Sequence, residues 1–317
     1  MHDSTRRDFL VGTGASAVIG LVTSTSRGEA KMIEPVTPTE NMMYSTARIV
    51  GLDAADKEVQ FGTGFFYQFP VADKDDRNIP ILVTNNHVID GVKKIGFLAH
   101  TVSDGGKKPD GNAPVLSDIS QWVRHPNPKI DLCALPVGGF INTAKPPAFL
   151  RFLDPSIVPS QDQLDGLSAV EDVLMIGYPN GLWDSVNNYP IIRRGITASH
   201  PAVDFDVEGA ATTVIDMACF PGSSGSPVIL YNPLSHFDKK ANVNNIGQGQ
   251  ILFLGVLFSG PTIESDGQIV IKNIPTVIQP VAQLRLMMNL GYIIKSKEVA
   301  ALGAEVLNKI GPIPPKP

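Results

Sequence analysis

Residues 220–227 read FPGSSGSP and lie between two segments rich in apolar and β-branched residues. A serine flanked by glycines on a tight turn can expose its hydroxyl while neighbouring backbone N–H groups point to one place, as an oxyanion hole requires. A Gly/Ser hairpin turn without any chemistry is typical of the same composition. The stretch alone therefore leaves a reactive serine and a plain turn as alternatives.

Two further segments favour the reactive serine. Residues 81–89, ILVTNNHVI, place His87 at the end of an apolar strand, and residues 130–135, IDLCAL, place Asp131 inside another. A single histidine of this kind is most often structural, but a carboxylate in an apolar strand is costly unless a partner neutralises it or donates to it. A Ser-His-Asp arrangement supplies that partner, because the carboxylate orients an imidazole that takes the serine proton. His87, Asp131 and a serine of the 222–225 turn are therefore the candidate catalytic residues.

The composition predicts an all-β fold. The 317 residues are 43% hydrophobic and 18% charged, which is enough apolar content for one large core or two adjacent cores. With 29 glycines and 26 prolines the chain turns often. Short β-branched and aromatic runs between these turns predict strands at 47–50, 64–69, 81–84, 173–176, 212–215, 228–231, 251–258 and 268–271.

Helical patterns are few and late in the sequence. Residues 278–288 carry the first clear helical pattern, and residues 297–310 form a weaker candidate before the proline-rich end. A polar, proline-rich stretch at 144–165 separates two strand-rich halves of similar length. Two packed β-barrels would fit this division.

Charge and cysteine content exclude several functions. The net charge is -5 and no basic run is longer than a pair, so we expect no nucleic-acid partner. Cys133 and Cys219 cannot form a disulfide framework and do not have metal-ligand spacing. We expect both to be buried packing residues, and we expect neither a metal nor any other cofactor.

The first 30 residues resemble a bacterial twin-arginine signal peptide. Arg6 and Arg7 precede Phe9 and an apolar 10–22 stretch, and a small-residue ending at 28–30 follows. The apolar stretch, about 13 residues, is shorter than the roughly 20 that span a bilayer. We therefore expect cleavage after Ala30 and a periplasmic or secreted product without a stable membrane anchor; an ordinary amphipathic N-terminus is the alternative.

The ordered motifs together carry a resemblance to a known family. GTGFF at 62–66 precedes His87, IGYPNGL lies at 176–182, and GVLFSG at 255–260 follows Ser224. This order resembles the trypsin-like (chymotrypsin-fold) serine endopeptidases, above all the bacterial exported Deg/HtrA-like members, over about residues 48–288.

The resemblance implies a fold and a domain layout. It implies two packed six-stranded antiparallel β-barrels, at about 45–150 and 165–290, within a protease domain over 31–295, followed by a short helix and tail at 296–317. We expect no peptide-binding C-terminal PDZ domain, because few residues follow the expected second barrel. The oligomeric state stays open.

The resemblance also implies residue roles. Ser224 would be the nucleophile, His87 the general base and then acid, and Asp131 the orienting carboxylate; the backbone N–H groups of Gly222 and Ser224 would form the oxyanion hole. The substrates would be polypeptides, cleaved through an acyl-enzyme. Ser223 departs from the digestive enzymes, which have an aspartate there that pairs with a newly cut N-terminus, so activation by that route is not expected.

The specificity pocket is also inferred from the resemblance. Its lining would be Ala218, Cys219, Leu257, Phe258, Ser259 and Gly260. None of these is an acid or a histidine, so we expect a small or medium apolar residue (P1) before the scissile bond.

Two other functions compete with an endopeptidase. An α/β-hydrolase esterase needs G-x-S-x-G and a histidine after the serine, whereas Ser226 breaks the motif and only His236 follows closely. A catalytically silent binding or scaffolding protein on the same fold would keep these residues with a closed or unformed oxyanion hole.

Overall fold

The computed structural model describes residues 31–71, 77–103, 106–205, 211–268 and 281–311. The expected signal peptide at 1–30 and the proline-rich tail at 312–317 lie outside the described residues. Two sheets dominate the described chain, as the composition predicted. Among the described residues, no helix combines the length and the apolar character needed to cross a bilayer.

The first half forms one antiparallel sheet. Its strands are β1 (Thr46–Leu52), β2 (Glu58–Pro70), β3 (Asn78–Thr84), β4 (Lys94–Thr101), β5 (Gly111–Asp118), β6 (Val123–Arg124) and β7 (Cys133–Pro136). Three short helices accompany it: α1 (Pro38–Met43), α2 (Asn86–Ile89) and α3 (Gly138–Thr143).

This first sheet has seven strands in the order β5-β4-β1-β2-β3-β7-β6, where six strands in a closed barrel were expected. The edge strand β6 spans two residues and pairs with β7 alone. Because β6 is so short, the ladder between strands does not continue from β6 to β5, and the described strands stop short of a closed ring.

The second half forms the closed six-stranded barrel that was predicted, in the order β10-β17-β14-β11-β8-β9. Its strands are β8 (Asp172–Gly177), β9 (Ile191–Thr197), β10 (Thr212–Asp216), β11 (Pro227–Asn232), β14 (Gln250–Ser259) and β17 (Leu290–Lys295). Two hairpins project from it, β12 (Ser235–Asp238) with β13 (Val243–Ile246), and β15 (Thr262–Gln268) with β16 (Val281–Met287). Helix α4 (Gln161–Gly166) precedes the barrel and helix α5 (Lys297–Ile310) follows it.

The predicted helix at 278–288 is wrong where it can be checked. Residues 281–287 form strand β16, paired antiparallel with β15 along its whole length, and residues 278–280 lie outside the described residues. The run VAQLRLM fits a helical and an alternating pattern alike, and cross-strand pairing decides between them. Of the predicted strand at 268–271, Gln268 ends β15 and the remainder is not described.

The other predicted strands lie within observed ones, and the predicted C-terminal helix is confirmed as α5. One hydrophobic cluster joins both halves. It contains Phe65 and Ile81 from the first sheet, Phe253 from the barrel, and Leu302 from α5. The rings of Phe65 and Phe253 meet edge to face with centroids 5.3 Å apart. The two halves are therefore packed through a shared core, which fixes how their loops face each other.

Candidate active site

His87 and Asp131 are brought together at the edge of the first sheet. After β3 ends at Thr84, the one-turn helix α2 carries His87, and its Nδ1 lies 2.5 Å from Asp131 Oδ2. The backbone N–H of His87 also donates to Asp131 Oδ1 at 3.2 Å. The His87 side chain is 47% exposed, so its ring is open to a ligand from solvent.

Asp131 differs from the prediction in its location. It precedes β7 rather than lying inside a strand, and its side chain is 26% exposed. Its neighbours Ile130 and Leu132 are both buried, so the apolar run reflects burial of the segment before the strand, which begins at Cys133. Asn85 Nδ2 donates to the Asp131 carbonyl at 2.7 Å and thereby ties this segment to the chain that carries His87.

The loop that carries Ser224 is bonded to the first sheet. The Thr63 N–H donates to the Ser224 carbonyl at 2.9 Å. The Thr63 carbonyl in turn accepts from the Thr84 hydroxyl at 2.6 Å, three residues before His87. Ser224 is partly exposed, whereas its neighbours Ser223 and Gly225 are buried. The serine and the histidine therefore sit on segments joined through one residue.

Two glycines give the loop its shape. Gly222 has φ +86°, and a Cβ there would stand 2.6 Å from the Phe61 ring. Gly225 has φ +87°, and a Cβ there would collide with the Thr63 carbonyl oxygen. Positive φ and lack of space both require glycine at these positions.

The backbone geometry bears on the expected oxyanion hole. The Pro221 carbonyl accepts from the Asn180 N–H at 2.6 Å, and the Ser223 carbonyl accepts from the Ser226 N–H at 3.0 Å. In a trans peptide the C=O and the next N–H point in opposite directions. The N–H groups of Gly222 and Ser224 therefore point away from the donors Asn180 and Ser226, and neither donates to another described residue.

The residues expected to line the P1 pocket divide into two groups. Cys219 and Leu257 are buried, and their side chains converge on Gly291, where a Cβ would lie 2.6 Å from the Cys219 Sγ. Phe258 packs partly into the shared core. Ala218 and Gly260 are half-buried and Ser259 is exposed. The Gly225 N–H donates to the Leu257 carbonyl at 2.8 Å and holds strand β14 beside the loop that carries Ser224.

Sequence reasoning missed the residues that support this loop. Arg193 donates to the Ala218 carbonyl, and its guanidinium lies 4.8 Å from the centre of the Phe220 ring. Asn180, with φ +50°, supplies the bond to Pro221. Thr63 and Asn180 both lie in motifs that the sequence singled out, but nothing in those motifs indicates a hydrogen bond more than 40 residues along the chain.

Neither cysteine has the properties of a nucleophile. Burial raises the pKa of Cys219 to about 11 and raises the pKa of Cys133 well above its usual range. Both thiols are therefore protonated at neutral pH, and the thiolate is the reactive form.

Comparisons with known proteins bear on the family. A family model described as a trypsin-like peptidase domain matches residues 62–232, more than half of the chain and the whole span from the Thr63 motif to the end of β11. The crystal structure of the active form of the Rv3671c protease from M. tuberculosis is similar at 16% identity, covering 92% of this chain and 93% of that one with a TM-score of 0.39. No curated protein matches the chain. The family model alone is sufficient for the assignment: this chain belongs to the trypsin-like peptidase domain family.

Proposed function

We propose that this protein is a serine endopeptidase that cleaves polypeptides through an acyl-enzyme. The observation that carries the proposal is the short Nδ1 to Oδ2 contact between His87 and Asp131 beside a glycine-shaped loop with Ser224 at its tip. Membership of a peptidase family supports the reaction class. No cofactor is invoked.

In this mechanism Asp131 accepts a hydrogen bond from His87 Nδ1–H, which leaves Nε2 as the base. The Ser224 Oγ attacks the carbonyl carbon and its proton passes to Nε2. The carbonyl oxygen becomes an oxyanion that the N–H groups of Gly222 and Ser224 stabilise. The C–N bond then breaks and His87 returns the proton to the leaving amine. Water, deprotonated by His87, attacks the ester and releases the acid and the free Ser224 hydroxyl.

We propose a small or medium apolar P1 residue. Cys219 and Leu257 would contribute apolar surface to the pocket, and the more exposed Ala218, Ser259 and Gly260 carry no charge. The cation beside this segment, Arg193, is engaged by the Ala218 carbonyl and the Phe220 ring. A library of peptides with varied P1 tests this preference, and cleavage chiefly after acidic or basic residues would contradict it.

Export remains a proposal that rests on the signal-like residues 1–30. Expression in a bacterial host with a twin-arginine pathway should yield extracytoplasmic protein that begins at Lys31, read by N-terminal sequencing. The matched control replaces Arg6 and Arg7 by lysines. Unprocessed protein in the cytoplasm, with no difference between the two forms, would contradict export.

Hydrolysis of denatured casein and of peptides tests the endopeptidase function. Ser224→Ala and His87→Ala should each reduce turnover by several orders of magnitude, and the double variant should lose little more than either one, because the residues act as a unit. His236→Ala and Ser120→Ala are the controls and should behave as wild type. Loss of activity on His236→Ala would instead favour the esterase alternative. A well-folded wild type that neither cleaves nor acylates would favour a binding or scaffolding protein.

A further inference from the structure

Thr63 makes an unusual set of contacts for a strand residue. It lies in β2 of the first sheet, its side chain is fully buried, and it joins four partners. Its N–H donates to the Ser224 carbonyl at 2.9 Å, and its hydroxyl donates to the Gly222 carbonyl at 2.9 Å. The same hydroxyl accepts from the Tyr178 N–H at 3.0 Å, and the Thr63 carbonyl accepts from Thr84.

These bonds fix the peptide planes around the oxyanion hole. The carbonyls of Gly222 and Ser224 bond to Thr63, and those of Pro221 and Ser223 bond to Asn180 and Ser226. Every carbonyl from 221 to 224 thus has a donor. Because each peptide is planar, fixing its carbonyl also fixes the N–H on the other side. Thr63 accounts for two of these four bonds, which fix the 222–223 and 224–225 peptides. The N–H groups of Gly222 and Ser224 belong to the 221–222 and 223–224 peptides, so Thr63 restrains them through the adjoining peptides of the loop. Among the described residues it is the sole contributor from the first sheet.

Gly222 is where such a restraint has most effect. Glycine populates positive and negative φ with similar ease, so the loop's own sequence does not select one orientation of the flanking peptides. The hydrogen bond from the Thr63 hydroxyl to the Gly222 carbonyl selects one orientation, and this bond comes from outside the loop. The hydroxyl is itself positioned by the Tyr178 N–H, which donates to it at 3.0 Å.

We propose that Thr63 is a positioning residue that holds the nucleophile loop in the conformation that binds the oxyanion. The inference rests on the proposed function for its effect on rate, although the hydrogen bonds do not. It assigns to the first sheet a direct part in shaping an anion site that belongs to the second. Thr63 also restrains the loop next to Ser223, whose buried hydroxyl has no hydrogen-bond partner among the described residues.

The test compares Thr63→Val with Thr63→Ser. Valine keeps the shape but leaves the Gly222 carbonyl and the Tyr178 N–H without the hydroxyl, whereas serine keeps both bonds. Loss of one direct oxyanion donor costs about a hundredfold to a thousandfold in kcat, so an indirect loss through loop position should cost about tenfold to a hundredfold. KM should change by less than about threefold, and Thr63→Ser should retain most of the wild-type kcat.

Thr46→Val is the matched control. Thr46 is also a buried threonine of the first sheet, but its hydroxyl has no hydrogen-bond partner, so its removal should leave kcat and the melting temperature unchanged. Wild-type kcat in Thr63→Val would overturn the inference, as would equal impairment of Thr63→Ser and Thr63→Val.

A second measurement is independent of catalysis. The amide ¹H–¹⁵N shifts of Gly222 and Ser224 should move in Thr63→Val and stay in place in Thr46→Val. Unmoved shifts would overturn the inference even if the wild type cleaves nothing. A wild type that cleaves peptides with an unaffected Thr63→Val would leave the proposed function intact and remove this inference alone.

Discussion

Asp131 presents both of its carboxylate oxygens to His87. One accepts from the ring at Nδ1 and the other from the backbone N–H, so the carboxylate sets the position of the residue as well as its tautomer. Only a neutral Nε2 can take a proton from Ser224. Under the proposed mechanism the chemistry therefore depends on the charge at Asp131 more than on the shape of its side chain.

Asp131→Asn should separate the effect of the charge at Asp131 from the effect of the shape of its side chain. The amide is isosteric but donates where the carboxylate accepts, which favours the wrong tautomer; we expect a fall in kcat of about a thousandfold to ten-thousandfold with little change in melting temperature. Asp90→Asn is the control, because Asp90 is exposed and pairs with Arg124 on the surface. Steady-state kinetics on one peptide suffices, and similar losses in both variants would count against a role for Asp131 in orienting the base.

His100 makes the folded state sensitive to acid. It is buried against Tyr44 and Tyr189, its Nε2 lies 3.1 Å from the Asn187 carbonyl, and burial lowers its pKa to about 4. The unfolded chain binds a proton near pH 6.5 and the folded chain does not, so stability is complete above that pH and is lost as the pH falls toward 4.

Between pH 7 and pH 5 this single group should cost about 2 kcal/mol of the free energy of unfolding. Urea denaturation at the two pH values measures it, with His100→Gln as the comparison. The glutamine variant should lose less stability than wild type over this interval. An equal loss in both proteins would show that another group carries the acid sensitivity.

At the scale of secondary structure, helix α5 is anchored by close packing. Gly303 sits in its buried face, where a Cβ would collide with the Phe69 ring of β2. His125 Nε2 also lies 3.4 Å from Glu298 Oε2 near the start of the helix. The helix thus seals the shared core from the side of the first sheet.

Gly303→Ala sets two effects of opposite sign against each other. Alanine improves helix propensity by about 1 kcal/mol, whereas overpacking a core costs about 1 to 3 kcal/mol. We expect the overpacking to win and the melting temperature to fall, while Ala304→Gly on the exposed face measures the propensity effect alone. A more stable Gly303→Ala would mean that α5 packs more loosely than its contacts indicate.

Sequence patterns predicted some of these strands and helices and missed others. Strands with β-branched runs were predicted because their pattern reflects burial directly, and α5 was predicted from its apolar face. Residues 281–287 were mispredicted because VAQLRLM suits either period, and the pairing with β15 that decides between them is not visible in the pattern of the segment alone. The structure places Asp131 next to His87, although the strand that follows Asp131 begins two residues later. The part of Thr63 in the loop could not be foreseen, since it depends on hydrogen bonds to residues more than 100 positions away.

The whole molecule is held together by a core to which both halves contribute. Phe253 of the barrel is fully buried and meets Phe65 of the first sheet, and Leu302 of α5 lies in the same cluster. Neither half could lose its partner without exposing these side chains.

This predicts one cooperative unfolding transition. The two tryptophans report on different halves, Trp122 on the first sheet and Trp183 on the loop after β8. Variants with either tryptophan replaced by phenylalanine should give coincident urea transitions. Phe253→Ala should lower the free energy of unfolding by about 3 to 5 kcal/mol, and both tryptophans should report the same loss. Separate midpoints for the two tryptophans would contradict a shared core.

The central claim is that Ser224 is an activated nucleophile, and labelling with a fluorophosphonate tests it most directly. The protein from Lys31 onward should acquire one label, located by peptide mapping at Ser224, and the label should be absent from Ser224→Ala and strongly reduced in His87→Ala. Absence of labelling in folded wild type, or a label on another residue that persists in Ser224→Ala, would contradict the account.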